Sequence, residues 1–199
     1  RKNGEASSSA ARSVPDQLEA IAATTAEERE FNELRRELSR ATSLDQAFDA
    51  LERHLSRILP LHSLALLLPQ PETNELHCVR CSGRASSILA GSRVPVGERV
   101  SGWAFAHSQV VFNSDATLEL GPVARTLSHP VGYVSAFPLL DGVSVLAVLL
   151  LCSQRPLERD HRRIVENSTT LFVSSVSNSV LQAAAPTRRR GQLHKAQVH

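Results

Sequence analysis

The chain has 199 residues, 22 Lys and Arg against 20 Asp and Glu, a net charge of +2 and 42% hydrophobic residues. That length suffices for one domain with a real core. A charge this mild, with no dense basic run before Arg188-Arg189-Arg190, excludes the concentrated basic face that a nucleic-acid groove needs. Aromatic residues make up only 4%, so the core must be built from Leu, Val and Ala. Three cysteines, Cys78, Cys81 and Cys152, form no disulfide framework and suit a reducing cytoplasm. The first residues are polar and rich in Ser and Ala, unlike a signal peptide. The longest apolar run, Val143 to Cys152, is about half of what a membrane helix needs, so a membrane is not expected as a partner.

Along the chain, residues 1–24 read as a linker or disordered segment without periodicity. Thr25-Ala26-Glu27-Glu28 has the form of a capping box, and Phe31, Leu34 and Leu38 follow at helical spacing. A second box, Ser43 to Gln46, opens a stripe of Leu44, Phe48, Leu51, Leu55 and Ile58 that Pro60 ends. Leu64–Leu68 and Leu76–Ser82 read as strands across a turn at Pro69–Asn74. Arg93–Val96 reads as a strand, Ser101–Ser108 as a short helix and Val110–Phe112 as another strand. A long irregular loop, Ser114–Gly132, precedes strands Val134–Leu140 and Val143–Cys152, joined by the hairpin signal Asp141-Gly142. After Pro156 a last helix carries Ile164, Leu171, Phe172, Val173, Val176 and Val180. Residues 25–184 thus form one domain and residues 185–199 a basic, disordered tail. The order implies the α+β class, a central antiparallel sheet of five to six strands. Terminal helices cover one face, and the short helix and long loop cover the other.

This order, together with particular residues, resembles the GAF domain, a sensor module of signalling proteins. The matching residues are Val96-Gly97, Ser101-Gly102-Trp103 and Val110 to Asp115, then Ser135 to Leu139, Asp141-Gly142 and Val148 to Leu151. The resemblance covers residues 30–183 and is closest to bacterial sensors linked to cyclic-di-GMP turnover. One departure stands out: the family often has glycine where this chain has Arg99, which would make the turn less permissive and aim a guanidinium at a pocket mouth.

The resemblance implies a small-molecule cavity roofed by the short helix. Its expected lining is Trp103, Phe105, His107, Asn113, Asp115, Arg125, His129, Tyr133, Ser135 and Phe137. Arg125 would receive an anionic group and Asn113 would fix orientation. The alternative is that Trp103 fills the space and no cavity remains. No catalysis is expected. The GAF-like methionine sulfoxide reductases and bilin carriers use pocket cysteines, and the short helix and long loop hold none. The cyclic-nucleotide set of Asn-Lys, Phe and Asp-Glu is matched only at Asn113 and Phe137. Cys78 and Cys81 have CxxC spacing, but in a strand such positions point to opposite faces, so the pair is not expected to share a metal or a disulfide, and no second pair completes a zinc site. His107 and His129 lie nearest the expected pocket without a metal-ligand pattern.

Two functions follow. In the first, a cytoplasmic, non-catalytic sensor domain binds an unidentified small molecule or partner. It signals through its terminal helices, as a homodimer, to an effector such as a diguanylate cyclase or phosphohydrolase outside this chain. In the second, the pocket is filled and the module is a dimerisation scaffold. A minor third option is a redox sensor using Cys78 or Cys81.

Overall fold

The structure is a computed structural model that describes residues 14–184, with side-chain detail over residues 25–176. Helix α1 (Val14–Arg40) is followed by α2 (Leu44–Ile58), strands β1 (Leu61–Gln70) and β2 (Glu75–Gly83), a one-turn α3 (Ser86–Leu89) and β3 (Arg93–Pro95). Then come α4 (Arg99–His107), β4 (Val111–Asp115), two short helices α5 (Thr117–Leu120) and α6 (Val123–Thr126), β5 (Tyr133–Asp141), β6 (Ser144–Ser153) and α7 (Arg159–Ala184). The six strands form one antiparallel sheet in the order β3-β2-β1-β6-β5-β4. The expected α+β class, with helices on one face and a short helix on the other, is what the chain adopts.

Two expectations need correction. The first helix starts at Val14, not Thr25, so the Thr25-to-Glu28 pattern lies inside a continuous helix. Its early turns are favoured by Pro15 in the first turn, where a missing N–H costs nothing, and by Ala and Glu throughout. The Ser114–Gly132 segment is not irregular throughout, since it holds α5 and α6. Residues 1–13 and 185–199 lie outside the described residues, with the expected linker start, the basic tail and Arg188 to Arg190.

The second cap forms at Ser43, as its sequence pattern predicts. The Ser43 hydroxyl accepts from the Gln46 N–H at 3.2 Å and starts α2. The Gln46 side chain reaches back one residue further than in a capping box, accepting from the Thr42 N–H at 2.8 Å. The stripe of α2 then buries Phe48, Leu51 and Leu55 completely against the sheet, each contributing about 1.5–3 kcal/mol.

The sheet separates two cores. On one face α1, α2 and α7 pack on Leu64, Leu66 and Leu68 of β1, Leu149 and Leu151 of β6, and Phe137 and Leu139 of β5. On the other face α3 to α6 pack on Ala65, Leu67, Val134, Ala136, Val148, Leu150 and Cys152. Strand alternation assigns each residue to its face.

Between α1 and α2 a row of ion pairs, Glu37–Arg53 at 2.8 Å, Glu33–Arg57 at 3.4 Å and Glu30–Arg57 at 3.4 Å, runs beside buried His54. Both ring nitrogens of His54 lack a hydrogen-bond partner, and Glu30 stands 3.9 Å away. Burial holds its pKa below the ordinary 6.5, outweighing the pull of Glu30. The unfolded chain therefore binds a proton that the folded one refuses. Stability should be full above about pH 6.5 and fall as pH drops from there toward the depressed folded value. Urea unfolding of wild type and His54→Leu at a series of pH values checks this: the variant should have the flatter profile, and identical slopes would count against the assignment.

Candidate functional site

The segment that opens the family resemblance builds the roof of the second core. Gly97 takes a φ of +90°, turning the chain off the sheet edge, and its N–H donates to the Gly102 carbonyl at 2.9 Å. Gly102 is needed for close approach: a Cβ there would collide with the Pro95 carbonyl oxygen of β3. Helix α4 is thereby pressed onto the sheet through Val100, Gly102 and Ala104, all buried.

What holds α4 down is a residue that did not stand out in the sequence. Glu119 of α5 is 3% exposed. Its carboxylate accepts from the Val100 N–H at 2.9 Å, the Ser101 N–H at 2.9 Å and the Ser101 hydroxyl at 2.6 Å. These are first-turn amides of α4, left without intrahelical partners and carrying the positive end of the helix dipole. The site at which a helix N-terminus would hold an anionic ligand is thus occupied by a carboxylate of the chain itself. Arg99, with a φ of +51°, does not aim its guanidinium at a pocket mouth; Nη1 donates to the Glu119 carbonyl at 3.3 Å. Around this clamp Ala104, Ala116, Ala124, Val131, Val134 and Leu89 are buried with almost no exposure.

The ten expected pocket residues do not come together. Trp103 is 37% exposed on the outer side of α4, its ring stacked on His107 with centroids 4.2 Å apart. The His107 Nδ1 lies 2.9 Å from the Trp103 carbonyl. Phe105 is half-buried against the second core. Ser135 and Phe137 are buried on the opposite face, toward the terminal helices, because alternate residues of β5 point to opposite sides. Tyr133 is half-buried at the start of β5, paired in register with Asp115. Asp115 is exposed and binds Thr117, N–H at 2.8 Å and hydroxyl at 2.6 Å, which lowers its pKa, with a smaller contribution from Arg125 at 3.3 Å. Arg125 is therefore a surface partner of Asp115. His129 is exposed and accepts from Arg84 Nη1 at 3.2 Å, whereas Trp103 stacks on His107.

Asn113 does fix an orientation, that of the backbone. At a φ of +56°, its Nδ2 donates to the Leu157 carbonyl and its Oδ1 accepts from the Leu157 N–H, both at 2.8 Å. Its own N–H donates to the Ser135 hydroxyl at 2.9 Å. This two-point clasp ties the edge strand β4 to the segment that leads into α7.

The cysteine pair also departs from expectation. Val79 has no partner on β1: Arg80 faces Leu66 and Cys78 faces Leu67. This bulge restores the parity that CxxC spacing breaks, so Cys78 and Cys81 share the face of the second core. Burial first, then the neighbouring Cys81, pushes the Cys78 thiol up to about 12. Burial, then the Glu119 charge, pushes Cys152 up to about 12. Among the described residues no group of three or more His, Cys, Asp or Glu side chains is placed to hold a metal ion. No helix there is long and apolar enough to cross a membrane.

No family model matches this sequence, and no curated protein matches it. Solved structures do match in fold. The GAF domain of a phosphoenolpyruvate-protein phosphotransferase from Coxiella burnetii aligns with a TM-score of 0.67 at 15% identity, over 79% of this chain and 96% of that one. The chain has the GAF fold. The GAF domain of a two-component sensor histidine kinase from Bacillus halodurans aligns with a TM-score of 0.58 at 18% identity, over 72% and 99% of the two chains. A free methionine-R-sulfoxide reductase from Neisseria meningitidis, an enzyme, aligns with a TM-score of 0.60 at 17% identity, over 79% and 91%. The GAF fold therefore accommodates both signalling modules and catalysts.

Two outcomes follow from the geometry. Glu119→Ala leaves two backbone N–H groups and a hydroxyl buried without acceptors, and should cost about 2–4 kcal/mol in urea unfolding. Glu119→Gln, which keeps an acceptor, should cost less. At neutral pH the native thiols of Cys78 and Cys152 should resist iodoacetamide and react after unfolding, as read by peptide mass spectrometry. Fast native labelling of Cys78 would contradict its placement.

Proposed function

We propose that this chain is a non-catalytic regulatory GAF module whose roofed cavity is filled by its own side chains and which acts through its terminal helices as a dimerising scaffold. The observation that carries this reading is the Glu119 clamp: the roof helix is closed by an internal carboxylate over a core of Ala, Val and Leu. A ligand would have to displace a buried, charge-assisted set of three hydrogen bonds to enter. The expected aromatic wall is missing as well, because Trp103 faces outward and Phe137 faces the other core.

The output would lie in α1 and α7. They are 27 and 26 residues long, about 40 Å each, against 15 residues for α2. They pack beside each other and are linked by Arg163–Glu27 at 3.0 Å. In the proposed homodimer these helices meet across a two-fold axis and carry changes to an effector outside this chain. A GAF domain within a sensor histidine kinase supports such a role by analogy of fold. The effector classes weighed from the sequence, a diguanylate cyclase or a phosphohydrolase, and the cytoplasmic setting are part of this proposal.

Two measurements test it. Sedimentation velocity across a concentration series should show a dimer at micromolar concentration; a monomer throughout would remove the scaffold reading. Amide NMR signals of α4 and α5 should stay unmoved across nucleotides, cyclic dinucleotides and haem, since the roof is closed. A saturable change that Phe105→Ala abolishes would instead establish a ligand under the roof.

A further inference from the structure

A cleft of about 630 Å³ opens at the other end of the sheet, away from the α4 roof. Its walls come from the start of β1, the turn after β2, and the segment joining β6 to α7. The volume is in the range of small-molecule sites. The chemistry of its walls is one-sided. Arg84 and Arg155 line it, as do His62 and His161, against a single carboxylate, Glu158. Arg53, Arg57, Arg80, Arg125, Arg162 and Arg163 each pair with an acidic side chain. Arg84 and Arg155 take part in none of the ion pairs among the described residues, as is true of other arginines such as Arg35, Arg93 and Arg159; what sets these two apart is that they line one cleft, where Arg84 contacts the imidazole of His129 at 3.2 Å.

The cleft also holds a buried polar group with no partner. His62 is 8% exposed, and its Nε2 makes no hydrogen bond. The other nitrogen, Nδ1, lies 3.2 Å from the Ser63 hydroxyl oxygen. That oxygen donates its hydrogen to the His62 carbonyl at 2.7 Å and accepts from the Ala85 N–H at 2.7 Å. Its remaining capacity is as an acceptor, which assigns the hydrogen to Nδ1. The neutral ring then offers a bare Nε2 in a cleft that two guanidinium groups line. Burial first, then the Arg84 and His129 charges, hold its pKa below the ordinary value, against a smaller upward pull from the His129 backbone. A buried polar atom left without a partner is costly, and unlike His54, which lies between helices, His62 borders an open cleft from which a ligand can reach it.

We propose that this cleft binds a small anion, a compound carrying a carboxylate or phosphate group, held by Arg84 and Arg155 with His62 at the base. The anion supplies the counter-charge the two guanidinium groups lack. It also lets the imidazole take up a proton, so that Nε2–H donates to the ligand. The groups that face this ring from neighbouring elements are Arg84 and His129; Arg155, Glu158 and His161 line the same cleft. The position matters for regulation. The ligand would bridge β1 and the β2 turn to the residues that open α7, close to Leu157, which Asn113 clasps. A bound anion would thus bias the placement of α7 without passing under the closed roof. The site stands apart from the scaffold reading, because it predicts binding whether or not the chain dimerises.

The test is titration of the full chain with inorganic phosphate and, separately, with succinate at low ionic strength, followed by amide and imidazole NMR. Saturable shifts at residues 62, 84 and 155 with either probe are expected. The effective probe tells a phosphate ligand from a carboxylate one. Arg84→Ala and Arg155→Ala should each weaken binding about tenfold or more, with thermal unfolding near wild type, while Arg93→Ala, an exposed arginine on β3, should leave it unchanged. Absence of saturable shifts with both probes would overturn the proposal. So would equal weakening by all three variants, which is the mark of diffuse surface charge.

Discussion

The carboxylate of Glu119 against the first turn of α4 is the contact on which the arrangement above the sheet depends. It closes the roof without a ligand, joins α4 to α5, and sets the charge next to Cys152. A helix N-terminus directed at a sheet is an anion site by geometry. This chain answers it from within. Because that contact is charge-assisted and shielded from water, it outweighs the weak exposed pairs elsewhere, such as Asp115–Arg125. The fully buried residues beneath are then no larger than Leu, in keeping with a chain that has one Trp and one Tyr.

With the roof closed, the two faces of the sheet divide their work. The face under α4 to α6 is a packed, mostly aliphatic layer. The other face carries the long helices, and the connections between the two run through the sheet's ends and edge. Asn113 joins the edge strand to the segment that opens α7, and residues of the same segment line the basic cleft. A regulatory input at either place would reach α7 through a few hydrogen bonds, with no need to rearrange a core. Packed cores resist small displacements, whereas a helix start held by two or three contacts has alternatives of similar energy.

Much of the fold was legible in the residues. The α2 stripe, the Ser43 cap, the Asp141-Gly142 hairpin and the strand runs gave each element its type and order, because those signals come from neighbours within a few residues. The glycines at 97 and 102 marked the turn into α4 for the same reason. The candidate site was much less legible. Trp103, Phe105 and His107 were correctly placed on one short helix, yet the helix presents Trp103 and His107 outward. Phe137 and Ser135 sit on the strand that was read, but on its other face. Cys78 and Cys81 share a face only because Val79 bulges, and nothing in the CxxC spacing announces a bulge.

By itself, then, the sequence determined the α+β order, the family likeness, the mild charge and the lack of a membrane-length apolar run. Those properties are local or compositional, and burial periodicity writes them directly into the chain. Tertiary structure alone decided which groups meet: Glu119 with Val100 and Ser101, Asn113 with Leu157, His62 with Arg84 across the mouth of a cleft. Each of these pairs spans 18 residues of sequence or more. A glutamate in a polar loop reads as solvated until the fold brings two orphan amides to it. Its role is set by the partners that packing supplies and by the water that packing removes.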